Sequence, residues 1–136
     1  MVAGRTKNGM VHAPLYPAYA GRKHFGVEIN DDTMNQAKPQ PFARGSVVLC
    51  VDIRDAHITL ESGQYIAVAK KRGKKMREVT IRRVVIHKDR IDLVAEGTDK
   101  RKTLSVPLDF NSDPKSEHYA FGLVYGCLGL IYGPKC

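Results

Sequence analysis

Residues 63–84 read GQYIAVAKKRGKKMREVTIRRV. Apolar residues alternate or cluster in Tyr65 to Ala69, then again from Val79 to Ile86. Between them lies a block, Lys70 to Lys75, in which every residue except Gly73 is a cation. Two β-rich runs separated by a glycine-bearing polar turn predict an antiparallel hairpin with a basic tip. The same period of two recurs elsewhere. Phe25, Val27 and Ile29 alternate with polar or small residues. So do Val47, Leu49, Val51 and Ile53, and later Ile91, Leu93 and Ala95. Half-buried strands produce this pattern.

Turn signals separate the runs: Gly45 in ARGS, Gly63 in ESGQ, Lys88 in HKD and Pro114 in NSDPKS. No stretch has a convincing helical period beyond one turn near Thr33 to Ala37. Many short strands at near-regular spacing predict a mainly β fold, a sandwich or partly open barrel. The first 20 residues lack periodicity, so residues 1–23 are expected to form an extended arm, residues 24–133 the folded domain and 134–136 a tail.

The final apolar run, YAFGLVYGCLGLIY over residues 119–132, alternates in size as well as polarity. Tyr119, Phe121, Leu123, Tyr125 and Cys127 are mostly large, and Ala120, Gly122, Val124 and Gly126 are mostly small. A glycine-lined strand face permits close backbone approach. An internal core strand and an exposed edge both fit this pattern. The edge reading makes Phe121, Gly122, Leu123, Val124, Tyr125 and Gly126 candidates for pairing with a second copy of the chain.

The chain has 136 residues, enough for one domain with a real core. No apolar run approaches the ~18 residues that span a bilayer. The first residues, MVAGRTKNGM, lack the apolar centre of a signal peptide, so a cytoplasmic protein with no membrane partner is expected. The three cysteines Cys50, Cys127 and Cys136 are odd in number and widely spaced. Cys50 and Cys127 are expected to serve as small buried hydrophobes. The five histidines form no HxxxH or Cys/His cluster, so neither a metal nor a cofactor is expected. The net charge of +8 fits an acidic partner such as nucleic acid. Direct contact would use Lys70, Lys71, Arg72, Lys74 and Lys75, although no aromatic platform stands beside them.

The order of an arm, FGVEINDDTMN, GSVVLCVDI, the hairpin above and a late apolar strand resembles the C-terminal domain of LexA-like and prophage-repressor self-cleaving peptidases. In that family a strand leads to Gly-Asp-Ser-Met and a hairpin ends in Thr-Val-Lys. Here the matching residues are Asp31-Asp32-Thr33-Met34 and Thr80-Ile81-Arg82. The resemblance covers about Val2 to Tyr132. It implies a LexA-like partly open barrel or sandwich, a serine nucleophile falling on Thr33, and a neutral lysine base falling on Arg82. It also implies a self-cleavage bond, matched by Ala3-Gly4.

Both dyad positions depart from the family. Threonine keeps the hydroxyl but adds a methyl group beside it. Arginine stays protonated, with a pKa above ~12, and has no lone pair to accept a proton. Asp31 replaces a glycine and puts a carboxylate near the developing oxyanion, the wrong sign for stabilisation. Thr33 therefore reads as a relic nucleophile, equally suited to an ordinary turn or helix N-cap, and Asp32 is a candidate ion-pair partner for Arg82.

The expected function is the regulatory and dimerisation domain of a prophage-type repressor with a degenerate peptidase site. As a homodimer it would place two DNA-binding heads on operator DNA through an N-terminal domain outside this sequence. A protein antirepressor would then replace self-cleavage as the inducing input. Two other readings stand beside it: a still-active self-cleaving enzyme using Thr33 with another base, and a small basic β-barrel that binds nucleic acid directly.

Overall fold

A computed structural model of the protein describes residues 2–6, 9–13, 15–29, 45–72, 76–96 and 103–128. Its strands are β1 (Val2–Thr6), β2 (Gly9–Ala13), β3 (His24–Glu28), β4 (Val47–Asp52), β5 (Tyr65–Arg72), β6 (Met76–Ile86), β7 (Ile91–Val94), β8 (Leu104–Val106) and β9 (His118–Leu128). A short 3-10 helix spans Pro17–Tyr19. Seven strands form one antiparallel sheet in the order β3-β4-β9-β5-β6-β7-β8. The fold is mainly β, as the period of two predicts. Among the described residues no helix is long and apolar enough to cross a membrane. The turn expected near Thr33 to Ala37 lies outside the described residues.

The hairpin that opened the argument is β5–β6, in register from Tyr65↔Arg83 to Arg72↔Met76. The ladder runs beyond the apolar residues and sets Lys70 opposite Glu78, a favourable cross-strand pair. Register also sorts side chains by face. Ile66, Val68, Val84, Leu93, Ala120 and Leu123 share one core cluster, closed over by Phe110 and the half-buried Tyr16, Tyr19 and Leu60. Val48, Cys50, Ala67 and Ile81 form a second cluster with Ile29, joined by half-buried Phe25 and Phe121. Burying a side chain such as Phe110, 1% exposed, contributes about 1.5–3 kcal/mol. The unbroken apolar run Val47 to Val51 is buried on both faces, whereas Ile91 to Val94 alternates buried with half-buried.

Strand β9 is central, bonded to β4 on one side and β5 on the other. The expectation of an exposed edge at Phe121 to Gly126 is therefore corrected, because both of its edges are already paired. The glycine-lined face is corrected too. Against β5 the register jumps from Gly122 to Ala120, and against β4 from Gly126 to Val124. Phe121 and Tyr125 are the extra residues of two β-bulges, and each bulge resets the alternation. Gly122 consequently faces Phe25 and Cys50, while Gly126 faces Leu49. Phe121 stacks on Phe25 with centroids 5.5 Å apart, and Tyr125 stacks on Tyr16 at 5.3 Å. Leu123 is 7% exposed.

Three further features were not expected. Residues 1–23 contain a hairpin, β1 with β2, and the 3-10 helix in place of a uniformly extended arm. The available signal was the Asn8-Gly9 dipeptide, a strong hairpin cue in a stretch too short to show periodicity. Strand β8 is only three residues long. It is pinned by Asp92, whose carboxylate accepts from Ser105 Oγ at 2.7 Å and lies 2.9 Å from His87 Nε2. These bonds, led by Ser105, hold the Asp92 carboxyl below its ordinary pKa. Lastly, Cys127 is disulfide-bonded, which was not expected, while it packs half-buried against the second core cluster. Cys50 is free and buried, and burial pushes its thiol pKa up.

A Cβ on Gly122 would come within 2.8 Å of the Phe25 ring and 3.0 Å of Cys50 Cβ, whereas one on Gly126 would meet Leu49 Cδ1 at 3.5 Å, an ordinary contact. Gly122→Val is expected to destabilise the protein by about 1–3 kcal/mol through overpacking. Gly126→Ala is expected to be neutral or stabilising by up to about 1 kcal/mol through reduced chain entropy. Urea unfolding of both variants checks the contrast.

Candidate functional site

Arg82 lies on β6 opposite Ile66 of β5 and is 3% exposed. Its neighbours two residues along the strand, Thr80 and Val84, share its face. Its Nε donates to Thr80 Oγ1 at 3.3 Å, and Thr80 is itself buried. The hairpin places a long cationic side chain on the face that also carries Ile66, Val68 and Val84, because the ladder leaves every second residue of β6 no other direction.

Toward the hairpin tip the same face continues through Glu78 and Lys70, and β9 adds His118 opposite Lys70. Burial lowers the pKa of His118, and the cations Lys70 and Arg82 lower it further, against the opposing pull of Glu117 and Glu78. A polar cluster of Thr80, Arg82, Lys70, Glu78 and His118 thus borders the apolar core. Sequence reading singled out Arg82 and Lys70 but missed His118, because the β9–β5 pairing that brings it there joins distant parts of the chain.

The chemistry open to these groups is limited. The Arg82 guanidinium can donate to a carboxylate or phosphate oxygen, but it cannot accept a proton. His118, whose pKa burial and the nearby cations lower, is the member of this cluster whose ordinary titration range lies nearest physiological pH. Among the described residues no group of histidine, cysteine, aspartate or glutamate is arranged to hold a metal ion.

The relic turn Asp31, Asp32, Thr33 and Met34 lies outside the described residues, so Arg82 is the described half of the expected dyad. Ala3 and Gly4 lie in β1, paired with His12 and Val11 of β2. Strand β1 packs beside β3. Four strand spacings separate β3 from β6 in the sheet order, roughly 19 Å along the sheet. The Ala3-Gly4 bond, in the two-stranded β1–β2 sheet beside β3, and Arg82 on β6 therefore belong to different parts of the fold.

Of the basic tip, Lys70 is half-buried and Lys71 exposed. Lys71 is anchored to the loop before β9, its amide donating to Glu117 O at 2.9 Å and its Nζ to Pro114 O at 3.3 Å. Arg72 ends β5, and Lys74 and Lys75 lie outside the described residues. The dimer candidates Phe121, Gly122, Leu123, Tyr125 and Gly126 meet partners within the chain, as described above, and Val124 packs with the second core cluster.

No known family model matches the chain, and no curated protein matches it.

The unfolded chain protonates His118 before the folded protein does, because its pKa is depressed on folding. Stability is therefore full above the ordinary histidine value of 6.5 and falls as pH drops toward the lowered one. Wild type is expected to lose urea resistance between about pH 7.5 and pH 5 more steeply than His118→Gln, which lacks the titrating ring.

Proposed function

We propose that this chain is the regulatory and dimerisation domain of a prophage-type transcriptional repressor, with a LexA-like C-terminal fold and a self-cleaving site that no longer works. The observation supporting this reading is the buried Arg82 on β6, 3% exposed, at the hairpin position where the family has its base lysine. A lysine there would be driven toward its neutral form by burial. An arginine stays protonated and changes a base into an anion holder. With Thr33 at the nucleophile position and Asp31 beside it, the relic site is not an enzyme's.

In this reading a homodimer presents two DNA-binding heads, carried by an N-terminal domain, to two-fold operator DNA. A protein antirepressor supplies the input that cleavage gives elsewhere. In this reading the location is the cytoplasm.

An intact-mass time course at alkaline pH tests the degenerate site. Wild type is expected to stay whole, and Thr33→Ser with Arg82→Lys to lose the segment up to Ala3. Cleavage of wild type would overturn the loss of activity, and an inert double variant would remove the serine–lysine resemblance. Sedimentation velocity over a concentration series is expected to show a dimer. A monomer at every concentration would remove the dimerisation role.

A further inference from the structure

His24 opens β3, and its two ring nitrogens face backbone groups of opposite kind. Nδ1 lies 2.7 Å from the carbonyl oxygen of Arg22, and Nε2 lies 3.2 Å from the amide nitrogen of Tyr16. A carbonyl oxygen only accepts and a peptide N–H only donates. Nδ1 must therefore carry the ring proton, and Nε2 must offer its lone pair to Tyr16. The two contacts together select the neutral Nδ1–H tautomer. In the imidazolium both nitrogens are donors, so Nε2–H would confront the Tyr16 N–H and that bond would be lost.

The bond at risk holds more than one amide. The Tyr16 ring stacks on Tyr125 of β9 at 5.3 Å and packs edge-on against Tyr19 at 5.4 Å. His24 itself meets Tyr125 edge-on at 5.6 Å. Tyr16 and Tyr19 close over the core cluster of the sheet. The fold leans on this point because Tyr125 is a bulge residue, turned toward Tyr16 by the register jump against β4.

Within the segment the Tyr19 amide donates to Tyr16 O at 3.0 Å, a bond that closes the 3-10 turn and does not join it to the sheet; the ties to the sheet are made at Arg22 and Lys23. The Asp52 amide donates to Lys23 O at 2.8 Å, the Lys23 amide donates to Asp55 Oδ2 at 2.8 Å, and Arg22 Nη1 donates to Asp55 O at 3.2 Å. The charged and titratable groups on the surrounding elements are Arg22 and Lys23 before the ring, Glu28 at the far end of β3, Asp52 at the end of β4, Arg54, Asp55 and His57 in the turn after it, the Tyr16 and Tyr19 phenols, and on β9 the Tyr125 phenol, whose pKa burial raises. On β4 the register partner is the apolar Val51. Asp55 is the carboxylate engaged with this segment, and it bonds the Lys23 amide in place of the imidazole.

We infer that His24 is a protonation-operated latch: neutral, it fastens Tyr16 and the 3-10 helix onto β9, and charged, it releases them while the sheet stays intact. The β1–β2 hairpin leads directly into this segment, so the latch also sets how that hairpin is tethered to the domain.

Nuclear magnetic resonance on the full chain tests the latch. Imidazole nitrogen shifts at about pH 8 are expected to show the Nδ1–H tautomer of His24. On acidification to about pH 5, the protection of the Tyr16 amide is expected to fall roughly tenfold, as loss of one hydrogen bond implies. The Tyr16–Tyr125 ring contact disappears over the same range, and the Val48 and Leu93 amides keep their protection. In His24→Gln, which accepts from Tyr16 without titrating, the Tyr16 signals are expected to be independent of pH. An Nε2–H tautomer overturns the inference. So does Tyr16 protection that survives protonation of His24, or an acid-induced loss that persists in His24→Gln. The tautomer and protection readings on wild type decide the matter even if the variant fails to fold.

Discussion

Everything in the sheet depends on β9 lying between β4 and β5. It is the last strand among the described residues, yet it occupies the third position in the order. Among the described residues it supplies the ladders that join the β3–β4 pair to the β5–β6–β7–β8 meander. Its pairing with β4 closes a long loop, the kind of contact whose entropy is offset only after local hairpins have formed. The two bulges are the local cost of that central position. They interrupt the ladder at Phe121 and Tyr125, and they turn those rings toward partners on opposite faces of the sheet. Phe25 then covers Gly122, and Tyr16 covers Tyr125. One strand thereby organises the central hydrogen bonding, both core clusters and the docking of the segment before β3.

The candidate site follows from the same geometry. Arg82 sits on the face of β6 that also carries Val84, so the polar cluster borders an apolar core. His118 joins it only because β9 begins beside the Lys70 end of β5. Burial lowers the pKa of His118, and Lys70 and Arg82 add to it against the pull of Glu117 and Glu78. Such a site suits holding an anionic group better than abstracting a proton.

Much of the fold was legible because strands that bury one face must alternate, and those that bury two must be continuously apolar. Strands β3 to β7 were readable for this reason, and so was the hairpin with its basic tip. The run from Tyr119 was recognisable as a strand, but its faces were not. Counting every second residue assumes an unbroken ladder, and each bulge shifts the count by one. The imagined row of glycines therefore divides between two faces. Strand β8 escaped notice because three residues carry no period; side-chain bonds from Asp92 hold it. Of the site, Arg82 was visible through motif spacing, whereas His118 and His24 were not. A histidine's role depends on which groups meet its two nitrogens, and those groups come from other segments.

The amino-acid sequence by itself determined the strand-rich character, the places where turns must fall, and the impossibility of Arg82 serving as a base. These are properties of single residues or short runs, set by side-chain chemistry and the two-residue period of extended backbone. Only the tertiary structure decided the position of β9, the faces its residues take, the cluster around Arg82 and the tautomer of His24. Each of these depends on pairing between distant segments, where register is chosen by the fit of whole surfaces to one another.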